Sequence, residues 1–533
     1  MIPAIVVFAY LALVLYIGIF AFRRGQSSGE DYFLASRSIG TFVFLLSLVG
    51  TNMTAFAILG SSGLAYQRGI GVYGLMAASS GFVIPFMLLL VGTRLWGFGK
   101  RFGHMTQVQF FRDRWDCSEI GTVIFALSAA MLVPYIVIGV MGGGTTLEAL
   151  TATTAPDGTV SSFVSYEVGG AIVALVVMSY VFFGGMRGTA WVNTLQTLMF
   201  LSFGTIAFLL IGRELGGLDQ VMERLSANPR TASLLTRERM SQAEFWSYFL
   251  IPLSSIMFPH MSIMCLTARK VVSFRRTVVL YPLCIALIWL PSVYLGVVAA
   301  DSFPGLGPGE SDDVLLRLLT ANTEILVAGV LGAAIMAAVM ASDSQILALG
   351  TMFTEDVFAH YGATKRFGAR AEVWAGRTFV VLITIVAYLV ALRAKDQVGI
   401  FELSIRFAFS GYAAMTPIML AALFWKRSTK WGALAATLWV AATVLASWWL
   451  HDATLAIAPA PGQPPVPIYP ALGGMLLRGT GGVTIWGALP VVPMVAGSAL
   501  LMWLVSLATR PPSRATVERF FAPAPGVTAG TPQ

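Results

Sequence analysis

Runs of about twenty apolar residues recur along the whole chain, and nothing in the sequence constrains the fold more. A helix of ~20 apolar residues spans a bilayer. Backbone inside lipid must satisfy its own hydrogen bonds, which leaves helices or closed barrels. Measured against that length, the sequence predicts about thirteen spans: 2–22, 40–64, 71–98, 119–143, 166–185, 191–212, 245–266, 278–299, 323–350, 375–393, 398–424, 432–450 and 484–508. No period-2 alternation persists in any of them, so none reads as a strand. The fold class is an all-α membrane protein. Only 11% of the 533 residues are charged, against roughly 25% in a soluble domain. That excludes a soluble enzyme, a disordered chain and a nucleic-acid binder. The 53 glycines and 25 prolines agree with this, since both are commoner in membrane helices than in soluble ones.

The net charge of +8 would suit an acidic partner, but its distribution reads as topology. With the N-terminus outside, about 22 of the 34 basic residues fall in inner segments and about ten in outer ones, the bias that sets orientation. The C-terminus is then cytoplasmic, and the expected location is a bacterial cytoplasmic membrane. The run 2–22 ends at Arg23-Arg24 with no cleavage pattern, so it reads as a retained helix rather than a signal peptide. Cys117, Cys265 and Cys284 make no disulfide framework. Outer stretches 213–244, 300–322 and 451–483 are long, and 459–465 is Pro-rich with no helix signal. Residues 1–508 read as one transmembrane domain, followed by a short cytoplasmic tail, 509–533, expected to be disordered.

Two spans are interrupted. The second carries Gly50, Thr51, Asn52 and Thr54, then Gly60-Ser61-Ser62-Gly63. The seventh carries Pro252 and Pro259-His260. Proline removes a helix hydrogen bond and frees a carbonyl, and unwound backbone at mid-membrane binds solutes and ions. The alternative is an ordinary kink in a packed helix. The spacing favours the first reading. Spans two and seven lie five helices apart, so they cross in opposite directions. That parity predicts an inverted repeat, spans 2–6 (40–212) against spans 7–11 (245–424), with span 1 (2–22) and spans 12 and 13 (432–508) as additions.

Span nine adds a polar cluster, Ala341-Ser342-Asp343-Ser344-Gln345, behind a run of small residues. It reads as a cation cage or as a polar seam between helices. Elsewhere, Phe56, Tyr135 and Phe258 are candidate walls of a solute pocket, beside Thr51, Asn52 and Thr54. His260 either contacts solute or caps freed carbonyls. Glu402 and Arg406 are i, i+4 on span eleven and pair by default; the sharper reading makes Arg406 the anchor for a solute carboxylate. Glu355 and Asp356 close span nine and are expected to pair with basic loops.

Taken together, Glu30-Asp31-Tyr32-Phe33-Leu34-Ala35-Ser36-Arg37, the Gly50–Gly63 break, Gly184-Gly185-Met186-Arg187-Gly188-Thr189-Ala190-Trp191-Val192-Asn193-Thr194-Leu195-Gln196, the Pro259-His260 break and Ala337 to Phe358 resemble the sodium:solute symporter family. Among its members the first two breaks look most like the proline symporters. The resemblance implies a LeuT-type five-plus-five inverted repeat, alternating access and Na+ as coupling ion. It implies a sodium site made by the carbonyls of Gly50, Met53 and Ala338 and by a hydroxyl pair that falls here on Ala341 and Ser342. Asp343 or a water would replace the oxygen missing at Ala341. The family commonly has Asp at the position of Asn193, so a second cation site at Asn193 and Ser344 is doubtful. Met264 stands where the family usually has Arg.

The implied function is sodium-coupled symport of a small organic solute. The alternatives are a proton-coupled or sodium-independent transporter of the same fold, or a transporter-like sensor. An intramembrane protease is disfavoured because no base is placed for the serines of Gly60-Ser61-Ser62-Gly63. A pump is disfavoured because Gly97-Phe98-Gly99-Lys100-Arg101 lacks the Ser/Thr of a P-loop. No metal beyond Na+ and no nucleic-acid partner is expected, and protein partners are not indicated.

Overall fold

The computed structural model describes residues 2–23, 29–154, 160–307, 309–395, 399–459, 463–479 and 481–521. Ten helices are long and apolar enough to cross a membrane, and two further spans are helix pairs bent at a short break. The spans are α1 (Ile2–Arg23), α2 (Thr41–Asn52 with Phe56–Arg68), α3 (Gly71–Phe102), α4 (Ser118–Leu150), α5 and α6 (the halves of Tyr166–Glu214), α7 (Gln242–Met257 with Pro259–Thr267), α8 (Val272–Ser302), α9 (Ile325–Ala359), α10 (Ala369–Ala394), α11 (Ile400–Phe424), α12 (Lys430–Ala453) and α13 (Val491–Ala508).

Tyr166–Glu214 is continuous by hydrogen bonding, but 49 residues of helix would be ~74 Å long, more than twice a bilayer core. The chain turns back at Gly185 (φ 52°, ψ −150°). A Cβ there would lie 2.5 Å from Tyr32 O, so both the left-handed φ and the close approach require glycine. Counting α5 and α6 separately recovers thirteen crossings.

The inverted relation of α2 and α7 is visible at both ends of the bundle. At one end Ile39, just before α2, bridges to Ala268, just after α7: Ile39 N donates to Thr267 O at 3.3 Å and Arg269 N to Ile39 O at 3.1 Å. At the other end Arg68, closing α2, pairs with Glu244, opening α7. The two spans therefore run antiparallel side by side, bent by 60° and 52° at their breaks.

Two expectations change at the periphery. The last span begins at Val491 and not at 484. Gly482–Ile485 is a strand, paired antiparallel with Leu476–Gly479, which pairs in turn with Val466–Pro467. The long outer stretch between α12 and α13 thus carries a three-stranded cap at the Arg68 end. Residues 460–462, in its Pro-rich run, lie outside the described residues. The second change is in the tail, where Arg514–Phe521 is a helix and not disordered. Burial supplies what its short length lacks. Phe520 is buried among Phe98, Phe102 and Phe110 at 5.0–6.0 Å between ring centroids. Arg519 donates to Asp113 at 2.9 Å, which also pairs with His104 at 2.9 Å. The His104 hydrogen bond, with Arg519, holds the Asp113 carboxyl below its usual range. Residues 522–533 lie outside the described residues.

This docking falls on the short helix Gln107–Trp115, which braces the end of the bundle opposite the cap. Gln107 Nε2 donates to Met257 O at 2.9 Å, at the α7 break. Arg112 and Thr106 hold the fully buried Asp356 at 3.0 and 2.8 Å, as expected for that acid. Glu355, expected to meet a base, instead takes the Gln109 amide at 3.0 Å.

Candidate cation and solute site

The α2 helix stops at Asn52 and resumes at Phe56. Carbonyls that lose their helical donors there need new ones. Thr51 O accepts from Gln345 Nε2 at 3.1 Å, and Asn52 O accepts from the Tyr135 hydroxyl at 3.2 Å. Asn52 Nδ2 donates to Tyr281 OH at 2.9 Å. The break is therefore pinned by side chains from α9, α4 and α8. Gly50 and Met53 flank these anchored carbonyls.

Across from this break α9 changes pitch. Its helix tightens over Met340–Ser342 before continuing from Asp343, and the tight turn packs on the first half of α2. Ala338 and Ala341 are fully buried there. Ser342 faces α4, where any Cβ on Gly139 would collide with its hydroxyl. A Cβ on Gly142 would lie 2.9 Å from Ala55 in the α2 break and 3.2 Å from Val339. These glycines bring α4 close to α9 at Val339 and Ser342 and to the α2 break at Ala55.

Asp343 does not join that group. Its fully buried carboxylate points to α5 and α6, accepting from Tyr180 OH at 3.0 Å, Asn193 Nδ2 at 3.3 Å and Ser344 Oγ at 3.1 Å. It therefore does not replace the oxygen missing at Ala341, contrary to what the resemblance implied. It belongs instead with Asn193 and Ser344, which bond each other at 2.8 Å. Among the described residues no Arg, Lys or His lies within salt-bridge distance of Asp343. Asn193 Oδ1 is buried with no partner. A carboxylate, a hydroxyl and the donating amide nitrogen of Asn193 thus meet, with no neutralising base among the described residues. Gly50 backs onto the same place: a Cβ on it would lie 3.0 Å from Asn193 O.

The α7 break is made differently. Phe258 is extended (ψ 127°) and Pro259 starts the next helix. Phe258 enters an aromatic box, with ring centroids 5.2 Å from Tyr135, 5.1 Å from Phe409 and 4.8 Å from Tyr412. Phe56 closes it, 4.8 Å from Phe409. His260 lies beside Phe258 and Tyr135, 1% exposed, with neither ring nitrogen hydrogen-bonded. Thr54 sits close to the Tyr135 hydroxyl. Ser255 Oγ and Thr51 Oγ1 are also buried without partners. Each such orphan costs ~1–3 kcal/mol, and they gather where the two breaks meet.

Arg406 does not enter this box. Its guanidinium meets His451, Gly481 O at 3.1 Å and Glu402 at 3.5 Å. The default pairing with Glu402 is present, and the role of carboxylate anchor in the central site is not. Sequence reasoning missed Phe409, Tyr412, Tyr281 and Gln345. Gln345 stood in the polar cluster of span nine, while nothing singles out Phe409 among 35 phenylalanines.

The sequence model described as "Sodium:solute symporter family" matches residues 32–439. The chain belongs to the sodium:solute symporter family. This symporter is 27% identical over 370 residues to an uncharacterized symporter, YhjB, of Bacillus subtilis (strain 168), covering 66% of this chain and 71% of the relative. It is 24% identical over 518 residues to the high-affinity proline transporter PutP of the same organism, covering 95% and 98%. A sodium/pantothenate symporter of Haemophilus influenzae is 25% identical over 450 residues, covering 80% and 86%. Among solved structures, a Na+-coupled sialic acid symporter in a substrate-bound outward-open state superposes with a TM-score of 0.74 at 14% identity, covering 96% of this chain and 98% of that one. A nucleobase-cation-symport-1 family transporter, Mhp1, gives 0.56 at 13% identity, covering 91% and 97%. The five-plus-five fold expected from the parity of the two breaks is the fold found. The symporter is an integral membrane transporter and not an enzyme, and Na+ is its coupling ion.

Proposed function

We propose that this symporter accumulates a small organic acid with an apolar body, of the amino-acid class, in the aromatic box between the two breaks. The observation that carries this reading is His260: a buried imidazole with both nitrogens unpaired, set among Phe258 and Tyr135. A solute bearing a donor or an acceptor would remove that cost, and its apolar body would part the rings. Two relatives are named for proline and pantothenate, both of which carry a carboxylate. Sodium between α2 and α9, on the carbonyls of Gly50, Met53 and Ala338 and the Ser342 hydroxyl, would then organise the first break for solute. Differential affinity of this kind is the coupling free energy. The basic end of the bundle, with Gln107–Trp115 and the tail helix, faces the cytoplasm in this reading, and the strand cap faces outside.

A second reading concerns Asp343. A carboxylate buried in a membrane protein without a base must hold a cation or a proton. Asn193 cannot ionise, so Asp343 would supply the charge at this place.

The test is uptake into proteoliposomes under an imposed sodium or proton gradient, with labelled amino acids, monocarboxylates and sugars. Accumulation of an amino acid or monocarboxylate that requires sodium supports the proposal. Accumulation of sugars alone overturns the substrate class. Accumulation driven by a proton gradient alone moves the coupling to Asp343. Saturable binding without accumulation makes the protein a sensor.

A further inference from the structure

Gln107 is fully buried and opens the short helix Gln107–Trp115, at the end of the bundle opposite the strand cap. Its amide donates to Met257 O at 2.9 Å, while its own Oε1 has no partner. The carbonyl it meets is one that the α7 break sets free. Met261 N, the donor that an unbroken helix would bring to Met257 O, goes to Phe258 O at 3.1 Å instead. An apolar side chain of similar length would spare the unpaired Oε1. The Met257 bond is therefore what an amide contributes at this position.

That bond ends one peptide away from the aromatic box. The Met257–Phe258 peptide is planar, so a displacement of Phe258 turns the Met257 carbonyl with it. Phe258 packs on Tyr135, Phe409 and Tyr412, and a solute that parts these rings moves Phe258.

The residue before Gln107 reaches a different span. Thr106 caps the helix by accepting from Gln109 N at 3.2 Å, and its hydroxyl donates to the Asp356 carboxylate of α9 at 2.8 Å. Arg112 donates to the same carboxylate at 3.0 Å and to Asp356 O at 2.8 Å. One short helix is thus tied both to the α7 break and to the inner end of α9. Between the two ties, Pro259–Thr267 of α7 packs on Asp343–Phe353 of α9. The ties are unequal. Asp356 is held by three bonds, each made by its carboxylate or by the Arg112 guanidinium, and charge-assisted bonds are roughly twice as strong as neutral ones. On the other side a single neutral amide holds Met257 O. When α7 and α9 part, the Gln107 bond is the one that yields.

We infer that Gln107 is a positioning residue of the transport cycle: it holds the Met257 carbonyl, and with it the inner closure, until solute displaces Phe258. The inference rests on the transport reading above. The inner face stays shut while the box is empty, and occupancy of the box releases it through this one bond.

The experiment reads inner opening with a thiol. Leu349 is fully buried and lies one turn beyond Gln345 on the same face of α9. Leu349→Cys is made in the full-length protein with Cys117, Cys265 and Cys284 replaced by serine. This parent is placed in nanodiscs, and its alkylation by a fluorescein maleimide is timed in choline with no solute. Gln107→Met and Gln107→Leu remove the donor and speed alkylation at least fivefold. Gln107→Asn, which keeps an amide but is one carbon shorter, rises with them and guards against a variant that does not fold. Gln109→Met is the control. It deletes bonds to Met105 N and Glu355 from the same helix without touching α7. It lowers the melting temperature and leaves alkylation within twofold, whereas a merely structural role for Gln107 makes the two glutamines behave alike. Sodium with L-proline or L-leucine speeds alkylation of the parent and adds less than twofold in Gln107→Met. Alkylation within twofold of the parent in the folded Gln107 variants, or an equal rise in Gln109→Met, overturns the inference. No response of the parent to either amino acid counts against the proposed solute class alone, because the comparison in choline contains no solute.

Discussion

The two breaks interrupt a pair of antiparallel spans, yet they are built from opposite materials. The α2 break contains no proline. It forms from Gly50, Thr51, Asn52 and Thr54, and its freed carbonyls are held by Tyr135 and Gln345. The α7 break forms at Pro259, is walled by Phe258, and leaves His260 without a partner. One break is polar, with its freed carbonyls held and its Thr51 and Thr54 hydroxyls unpartnered; the other is walled by rings and leaves an imidazole unpartnered. Fixed oxygens suit a small hard cation, which needs its ligands pre-arranged. Rings and an unpaired imidazole suit an organic solute, which brings its own surface and hydrogen bonds. The repeat supplies two equivalent positions, and side-chain chemistry divides the labour between them.

That division can be broken by mutations that move one ligand and not the other. The largest effect is expected at the charge beside the first break. Asp343→Asn should lower gradient-driven accumulation at least 100-fold while solute binding in saturating sodium changes less than tenfold. Unchanged accumulation in proteoliposomes would remove Asp343 from coupling. Ser342→Ala takes one oxygen from the proposed sodium set. It should raise the sodium concentration for half-maximal uptake about tenfold, or ~1.4 kcal/mol, and abolish any sodium-induced rise in melting temperature. A melting curve that still responds to sodium would count against the site.

On the solute side the signs reverse. His260→Gln should raise the KM for solute several-fold and leave the sodium dependence intact. His260→Leu should raise the melting temperature without solute, because it deletes an unsatisfied buried group worth ~1–3 kcal/mol. A lower melting temperature would mean that the imidazole has a partner. The smallest effect belongs to Tyr135→Phe. It removes the bond to Asn52 O but keeps the ring on Phe258, costing ~1 kcal/mol. Because Tyr135 touches both breaks, both KM and sodium affinity should shift about two- to fivefold. A shift in only one would show that the breaks are uncoupled through this residue.

The breaks were legible in the sequence because glycine and proline announce them and because parity fixes their relative direction. The thirteen crossings were legible from length alone, including the reversal at Gly185 that hydrogen bonding conceals. The direction of Asp343 was not legible. The tight turn at Met340–Ser342 shifts the helix phase, and a one-residue change of phase turns a side chain by ~100°. The default pairing of Arg406 with Glu402 was legible from i, i+4 spacing, whereas its further partners, Gly481 and His451, lie far along the chain and were not. The strand cap and Arg514–Phe521 carry weak local signals. Both exist because tertiary burial rewards them, the tail helix through Phe520 alone among its side chains.

The seat of that tail helix has a consequence for how the molecule is made. Arg519 and Asp113 are 406 residues apart. The aromatic cluster of Phe98, Phe102 and Phe110 is synthesised early, while Phe520 emerges only after all thirteen spans. Until then the brace at Gln107–Trp115 presents bare aromatic surface at the bundle's end, the kind of patch that recruits chaperones or aggregates. Assembly of the end that supports the α7 break is thus completed only after translation has reached the tail, and a product ending just after Ala508 would insert all thirteen spans yet keep an unfinished surface at that end.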